Sequence, residues 1–381
     1  MAIRRHAIII GGGIGGLASA IALGRIGWAV SIYEQAAELR EVGAGLALWA
    51  NAVRALERLG VGAAVRALQA PMPSGGIYTW RGEPLITDSS AALAKRTGEQ
   101  SFVVHRADLL AILRAILPGD SLTLSKRCAR VEQDAAGVTA HFIDGSQAHG
   151  DLLVGCDGIR SAVRAQLVGD GEPVYAGYTA YRAVVPFGAA DLPAGEYWGR
   201  GARFGIAPLS GGRVYWFATR SAPAGAREAP EAAHARLLTT FGGWCSPIPQ
   251  IIAATDPAIL LQNDIADRRP LARWSVGRVT LLGDAAHPMT PNLGQGACQA
   301  LEDAVVLARC LEGATDVAAA LRAYEEQRIA RTSPIVRQAR LIGQVGQWQH
   351  PLACALRDAL ARHVLARIQD RQLDQVIGYA V

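Results

Sequence analysis

The sequence predicts an α/β fold: a doubly wound parallel sheet, an inserted β-rich domain, and helices at the C-terminus. Three observations predict it. A short apolar strand enters a glycine-rich turn at residues 11–16, two later apolar strands end in turns that contain Asp157 and Asp284, and aromatic strands fill the interval between those turns. Half of the 381 residues are apolar, which is enough side chain to bury a large core and excludes a disordered chain.

Composition and charge exclude several classes of protein. The 42 glycines have no period of three, so the chain is not collagen-like. The 38 basic and 33 acidic side chains leave a modest excess of +5, and residues 331–381 hold seven Arg and three Asp without a basic block. We therefore expect no nucleic-acid partner. The six cysteines are widely spaced with no CxxC pair, so the sequence predicts no metal site and no dithiol redox centre.

The uncharged, largely apolar run at residues 7–24 resembles a signal peptide or membrane span on first reading. Five glycines at positions 11, 12, 13, 15 and 16 argue against both, because they would weaken an apolar helix. We therefore expect no membrane span and a cytoplasmic location.

The same run fits a dinucleotide-binding strand–turn–helix–strand unit. His6–Ile10 is predicted as a buried strand, residues 17–23 as a helix, and Ala29–Tyr33 as a second strand that ends at Glu34. A second GxGxxG motif is absent, since the glycines at 199–205 have the wrong spacing and no helix after them. The unit predicts one bound dinucleotide, and it does not by itself distinguish NAD from FAD.

Each feature of that unit has a physical reason. Gly11 permits the tight turn, and Gly13 lets backbone N–H groups approach a pyrophosphate at the positive end of the helix. Gly16 allows close packing of helix on strand, and Glu34 is placed to accept hydrogen bonds from a ribose diol.

Two further strands lead into turns that carry polar groups. Residues 152–164 read as an apolar strand, a turn at Asp157, and a helix that starts near Ser161. Residues 279–286 read as a buried strand that ends in Gly283 and Asp284, where a carboxylate can hold sugar or ribityl hydroxyls.

Proline at 288 and 291 prevents a helix directly after Asp284, and residues 294–296 open one. The bare N–H groups of that helix start favour negative charge in front of them. Its predicted apolar side consists of Leu301, Ala304, Val305 and Ala308. Its predicted polar side consists of Glu302, Asp303 and Arg309.

These motifs resemble the single-component, class A flavoprotein monooxygenases of the para-hydroxybenzoate and salicylate hydroxylase type. The resemblance rests on GGGIGG with Glu34, GCDG at 155–158 and LLGDAAHP at 281–288, with support from 41–61 and 105–113. It runs from about residue 5 to 345. It implies FAD as cofactor, NADH or NADPH as co-substrate, and dioxygen with a small molecule as substrates.

Carried over residue by residue, the resemblance implies a set of cofactor-binding positions. They are Gly11, Gly13, Ile14, Gly15, Gly16, Glu34, Gln35, Gly45, Leu46, Arg106, Cys128, Asp157, Gly283, Asp284, Pro291, Leu293, Gly294, Gln295, Gly296 and Ala297. Within the set, Gly13, Gly15 and Glu34 would hold the ADP half. Arg106 would contact the cofactor chain, and the Cys128 backbone would lie by the adenine. Asp157 belongs to a motif tied to both FAD and NAD(P)H, and Asp284 would hold the ribityl and pyrophosphate region. The turn at 293–297 would face the pyrimidine edge of the flavin.

The resemblance also implies a domain division. Residues 1–70, 100–171 and 273–345 would form a discontinuous FAD-binding domain, and 71–99 with 172–272 a β-rich substrate domain. Residues 346–381 would form a C-terminal helical segment, and the tail after Pro334 reads as helix. Strands are predicted at 180–187, 202–209 and 213–219, with a turn at 210–212 between the last two.

Two side chains on these strands are the candidates for catalysis. Relatives of the salicylate hydroxylase type tend to carry a histidine in this region, and none occurs between His149 and His234. The region looks closer to FAD-dependent urate hydroxylases, in which an Arg on one such strand and a Tyr on the next serve the substrate. That likeness implies that Arg203 anchors an anionic substrate with Tyr215 as hydrogen-bond partner. Alternatively Arg203 is a rim charge and Tyr215 a core aromatic. His287 is expected to be a structural part of its turn.

The implied activity is insertion of one oxygen atom from dioxygen into a small aromatic or purine-like ring, through a flavin C(4a)-hydroperoxide. Two alternatives stay open: epoxidation or oxygenation of a larger natural product, and a flavin reductase or oxidase without oxygenation. We expect a monomer or homodimer.

Overall fold

The structure is a computed structural model that describes residues 4–39, 44–70, 74–169, 171–188, 192, 194–365, 375–379 and 381. The strands, in chain order, are β1 (His6–Ile10), β2 (Ala29–Tyr33), β3 (Gly45–Leu48), β4 (Ser74–Thr79), β5 (Pro84–Ser89), β6 (Phe102–His105), β7 (Leu122–Thr123), β8 (Cys128–Gln133), β9 (Val138–Phe142), β10 (Gln147–Gly150), β11 (Leu152–Gly155), β12 (Val174–Pro186), β13 (Gly195–Trp198), β14 (Ala202–Leu209), β15 (Arg213–Ser221), β16 (Leu261–Asp267) and β17 (Val279–Leu281).

The helices follow the same numbering. They are α1 (Ile14–Arg25), α2 (Ala50–Arg58), α3 (Gly62–Arg66), α4 (Ser90–Thr97), α5 (Arg106–Ala115), α6 (Ala162–Val168), α7 (Pro230–Phe241), α8 (Ile248–Ala253), α9 (Gly296–Leu311), α10 (Val317–Gly346) and α11 (Pro351–Leu360). Two single 3₁₀ turns, Gly283–Ala285 and Pro291–Leu293, lie between β17 and α9.

A five-stranded sheet in the order β17-β11-β1-β2-β7 is parallel throughout. Its central strand carries Ala7, Ile8 and Ile9 with no exposed surface, as expected of a parallel strand covered on both faces. The β1, α1 and β2 bounds agree with the predicted strand–turn–helix–strand unit, and the predicted fold class is confirmed.

A seven-stranded sheet has the order β16-β12-β15-β14-β13-β4-β5 and is antiparallel except for the β4–β13 pair. The predicted turn between β14 and β15 is present, and Gly211 and Gly212 take φ angles of 74° and 68° there. One face of this sheet packs its side chains, Phe204 and Trp216 among them, against α7 and α8. The other face turns toward the nucleotide-binding part of the molecule.

The prediction that Glu302 and Asp303 lie on a polar side of α9 is wrong. Both side chains have no exposed surface, because α10 packs on that side of α9 and brings Arg328 to them. The Arg328 guanidinium, itself fully buried, lies 2.6 Å from Glu302 Oε2 and 2.6 Å from Asp303 Oδ1. Arg331 adds a 2.9 Å pair with Glu302 Oε1. We refer to these four side chains as the buried charge cluster.

The helix predicted after Pro334 begins earlier, at Val317, and Pro334 lies inside it. Residues 375–379 dock against the middle of α2, where Arg54 Nη2 donates to the carbonyls of Ile377 (2.7 Å) and Tyr379 (2.9 Å), and against the middle of α10, where Arg331 donates to the carbonyls of Gln375 and Val376. Ile377 has no exposed surface. No helix in the described part of the chain is long and apolar enough to cross a membrane.

Candidate functional site

Four predicted site residues meet at one edge of the parallel sheet. Gly11 follows β1, Glu34 follows β2, Asp157 follows β11, and Asp284 follows β17. Because these strands are parallel, their carboxyl ends lie on the same edge, where open α/β sheets bind their ligands.

The glycine turn after β1 leaves room for a ligand only at one position. A Cβ on Gly11, whose φ is 108°, would collide with the carbonyl oxygen of Cys156, and a Cβ on Gly16 would collide with that of Gly11. A Cβ on Gly13 would meet nothing within 4 Å. Gly13 is also the N-cap of α1 and offers no side-chain cap, so the first N–H groups of α1 face that open space.

Glu34 lies beside this turn. Its Oε2 accepts a hydrogen bond from the Gly12 N–H at 2.7 Å and its Oε1 accepts one from the Ala36 N–H at 2.9 Å, so both oxygens are held in place. The side chain is half-buried and Gln35 next to it is exposed. Lone pairs remain on the carboxylate for a ribose diol.

Asp284 opens into the cleft in front of the sheet. Its side chain is exposed there, yet the surrounding protein raises the pKa of its carboxyl, while His287 and Arg106 lower that pKa in part. The carboxylate has no hydrogen-bond partner among the described residues. Burial lowers the pKa of Arg106, which begins α5, and Asp284 raises it. This pair presents an acceptor and a cation to a ligand in the cleft.

Asp157 caps the helix after its own strand. Its carboxylate accepts hydrogen bonds from Ser161 Oγ (2.5 Å) and the Ala162 N–H (2.7 Å), and burial raises the pKa of the carboxyl. The buried Arg164 in the same helix donates to the carbonyls of Ala285 (3.1 Å) and Ala286 (2.9 Å). Arg164 thus ties the Asp157 turn to the Asp284 turn. Its position at a helix start gave no sign of that role in the sequence.

The predicted flavin-facing turn at 293–297 continues from the 3₁₀ turn Pro291–Leu293, so that 291–297 form one connection into α9, and Gly294 takes a φ of 61° there. Gln295, the N-cap of α9, is 1% exposed, and its Oε1 accepts hydrogen bonds from Asn51 (3.0 Å) and Gln299 (2.9 Å). Its Nε2 and the nearby Trp49 Nε1 are buried donors without a protein partner in the described part of the chain. Buried donors without partners fit a cofactor with carbonyl acceptors, such as the pyrimidine ring of a flavin.

Three other predicted cofactor positions surround these turns. Gly45 and Leu46 lie on β3, half-buried, and Cys128 begins β8. Burial raises the pKa of the Cys128 thiol to about 11, so the thiol is protonated and inert. Asn51 and Trp49, both from the segment after β3, were not singled out in the sequence.

Tyr215 connects the seven-stranded sheet to this cleft. A Cβ on Gly45 would overlap the ring of Tyr215, so the ring lies directly on the backbone of β3. Burial raises the pKa of Tyr215, and the positive charge of Arg182 lowers it in part. The half-buried phenol therefore stays protonated at neutral pH and can donate a hydrogen bond.

Arg203 is buried rather than at a rim, with 2% of its surface exposed. Its Nη1 lies 2.8 Å from Glu196 Oε1, its Nη2 donates to Asn292 Oδ1 at 2.7 Å, and it stacks on Tyr178 at 5.5 Å. It pairs with Thr219 across the strands while Tyr215 pairs with Ala207, four residues away, or roughly 13 Å along the strand. Within the described ranges, no hydrogen bond joins Arg203 and Tyr215.

His287 is part of its turn, as expected. It is 2% exposed, its Nε2 lies 2.6 Å from Asp303 Oδ2, and its ring packs on Trp274. Asp303 Oδ2 also accepts the Gly283 N–H at 3.0 Å. The buried charge cluster therefore holds the Gly283–Ala285 turn in place. In the described ranges no group of three acidic, His or Cys side chains is arranged to hold a metal ion.

The parallel sheet, the glycine turn and the unpartnered donors at Gln295 together fit a flavin-binding oxidoreductase. The chain belongs to the FAD binding domain family, whose model matches residues 4–339. Within that family it is an FAD-dependent monooxygenase, and NAD(P)H as electron donor is typical of such enzymes.

Relatives of known activity support this assignment. The chain is 44% identical to an aurachin C monooxygenase/isomerase of Stigmatella aurantiaca over 93% of both chains. It is 41% identical to an FAD-dependent urate hydroxylase of Klebsiella pneumoniae over 88% of both. The crystal structure of Klebsiella pneumoniae HpxO with FAD and uric acid superposes with a TM-score of 0.92 at 36% identity, and the match covers 98% of this chain and 97% of that one.

Proposed function

We propose that this monooxygenase hydroxylates a small, planar, electron-rich ring of the phenol or purine type. The substrate lies between the turn at 291–297 and the inner face of the seven-stranded sheet. This inner face is the side of β12, β14 and β15 that points away from α7 and α8. The observation that carries the proposal is the contact of Tyr215 with Gly45, because it brings a hydrogen-bonding phenol of the substrate sheet directly onto the cofactor-binding strand β3.

The inner face is suited to a flat ring. Directly opposite residues on this face are Phe217 with Gly205 and Tyr215 with Ala207, so two aromatic rings stand beside positions with little or no side chain. Phe217 leans over Gly205, where a Cβ would overlap its ring. An apolar, aromatic-lined wall keeps water from the reacting atoms and stacks on a planar substrate.

Tyr215 and Arg203 act at the two ends of this wall. Tyr215 orients the substrate through its phenol. The charge of Arg203 is already balanced by Glu196, but its buried Nε has no protein partner among the described residues, so a spare directional donor remains. Through Asn292, Arg203 also positions the turn that leads to Gln295.

The cofactor contacts follow the turns described above. The ADP half of FAD lies along Gly11–Gly16 and Glu34, with the Cys128 backbone near the adenine. Arg106 and Asp284 would hold the central chain, and the turn at 291–297 together with Gly45 and Leu46 would hold the flavin. When bound, FAD supplies electron transfer from NAD(P)H and the activation of dioxygen.

The relative named for aurachin C supports a second candidate, a larger substrate of the kind that enzyme acts on. The two candidates are separated by measuring NADH and NADPH oxidation with urate, salicylate, 3-hydroxybenzoate and aurachin C, under ¹⁸O₂. The proposal predicts faster NAD(P)H oxidation with one of the small rings and one ¹⁸O atom in its product. Stoichiometric hydrogen peroxide with no labelled product from any compound would refute oxygenation and leave an oxidase or reductase.

We also propose that the enzyme is cytoplasmic and that it is a monomer or a homodimer. Size-exclusion chromatography with light scattering on the FAD-loaded protein tests the oligomeric state, and a tetramer or larger assembly would contradict it.

A further inference from the structure

Arg182 lies on the inner face of the seven-stranded sheet, and no local pattern in the sequence distinguishes it. It is a half-buried residue of β12, opposite Phe217 of β15, while Tyr215 stands opposite Val184. Arg182 and Tyr215 are therefore diagonal neighbours on one face. Such positions are about 7–8 Å apart at the backbone, within reach of long side chains.

Among the arginines on the inner face of this sheet, Arg182 differs from Arg203 and Arg213 in having no counter-charge in the described ranges. Arg203 is paired with Glu196, and Arg213, at the end of β15, is paired with Asp108 at 2.9 Å. Arg182 makes no side-chain hydrogen bond and no ion pair with any residue in the described ranges. Its charge is nevertheless felt at Tyr215, whose pKa it lowers against the effect of burial. A half-buried cation without a partner in the described ranges, on the sheet face whose Tyr215 lies on β3, favours a negatively charged ligand.

We propose that Arg182, beside Tyr215, holds the ionised oxygen of the substrate. The inference rests on the proposed function and deepens it, because it defines the substrate as one that binds as a phenolate or an equivalent ring anion. Arg203 is less suited to this task since its charge is already neutralised. A guanidinium has no acceptor for a proton, so the proton lost by the substrate hydroxyl passes to water. Ionisation makes the ring carbons ortho and para to that oxygen richer in electrons.

A phenol whose pKa lies near neutrality tests this directly. 4-Nitrophenol is titrated into the FAD-loaded enzyme across a range of pH, and its ionised form is followed by difference absorbance in the visible region. An opposite charge within about 4–6 Å lowers the pKa of an acid by about one to three units. We expect a bound pKa at least about one unit below that of free 4-nitrophenol.

Three variants separate charge from fold. Arg182→Met should abolish the shift and weaken phenolate binding about tenfold or more, because one pKa unit corresponds to a factor of ten in affinity. Arg182→Lys keeps the charge and should retain most of the shift. Arg227→Met removes an equal charge from an exposed position after β15 and should behave as wild type. FAD content and far-UV circular dichroism are measured for each variant.

The outcomes distinguish failure of the Arg182 anion site from failure of the proposed function. An unshifted pKa in wild type, or the same shift in Arg182→Met as in wild type, overturns the inference, even if the enzyme oxygenates a small ring. A shift that is lost in Arg182→Met and kept in Arg182→Lys supports it. If that pattern holds while no compound in the ¹⁸O₂ experiment is oxygenated, the anion site stands and the proposed function fails.

Discussion

Arg328→Met should destabilise the protein strongly, because it removes the centre of the buried charge cluster. Arg328 has no exposed surface and donates to Glu302, Asp303 and Gln299 at 2.6, 2.6 and 2.7 Å. Methionine keeps much of its volume but leaves two fully buried carboxylates with fewer counter-charges. Breaking a buried ion pair from one side costs about 3–5 kcal/mol. Arg331 and His287 remain to compensate part of the charge, so we expect a value toward the lower end of that range.

Equilibrium unfolding in urea, followed by tryptophan fluorescence, measures this loss in the FAD-free protein. The control is Arg322→Met, an equal change at an exposed position of the same helix, which should fall within about 0.5 kcal/mol of wild type. Adding Glu302→Gln and Asp303→Asn to Arg328→Met should recover part of the stability, because no fully buried charge then lacks a partner and the partly exposed Arg331 keeps its hydrogen bonds to the carbonyls of Gln375 and Val376. Equal free energies of unfolding for Arg328→Met and Arg322→Met would refute the reasoning.

Three further outcomes follow from the site. Gly16→Ala should lose both stability and FAD binding, whereas Gly13→Ala, which has open space around it, should keep its stability and lose only FAD affinity. Calorimetric titration of FAD into the apoprotein, together with the free energy of unfolding, distinguishes the two variants. Equal behaviour of the two variants would contradict the assignment of Gly13 as the open position. Interactions with His287 and Arg328 outweigh burial and lower the pKa of Asp303 from 3.8 to about 2. Its stabilisation, about 2 kcal/mol, is therefore present above pH 4 and lost as pH falls toward 2; acid unfolding of Asp303→Asn with the same pH dependence as wild type would count against it. Tyr215→Phe should leave FAD binding unchanged and divert more NAD(P)H into hydrogen peroxide, and unchanged coupling in an oxygen-electrode assay with catalase would argue against its role.

Local patterns carried most of the fold prediction. The structure of residues 6–33 is predictable because strand, turn and helix signals follow one another within a single unit. β1, α1 and β2 begin and end close to where those signals place them. The paired strands β14 and β15 are predictable from an equally local pattern, because two glycines mark the turn between them.

Long-range packing accounts for what the sequence did not show. Glu302 and Asp303 are charged, and only the docking of α10 reveals that their side of α9 is interior. Asn51 reaches Gln295 from 244 residues away, so no local pattern connects them. The absence of a counter-charge at Arg182 is likewise a property of its three-dimensional neighbours.

The order of the parallel sheet has a consequence for biosynthesis. β1 leaves the ribosome before the other strands of this sheet and is separated by one strand, β11, from β17, which emerges only after about 270 further residues. At about 5–20 residues per second, that interval lasts roughly 15–50 s. Throughout it the nascent chain exposes an incomplete sheet edge and lacks the Asp284 carboxylate, so FAD capture is a late event, and fragments that stop before residue 279 should emerge colourless.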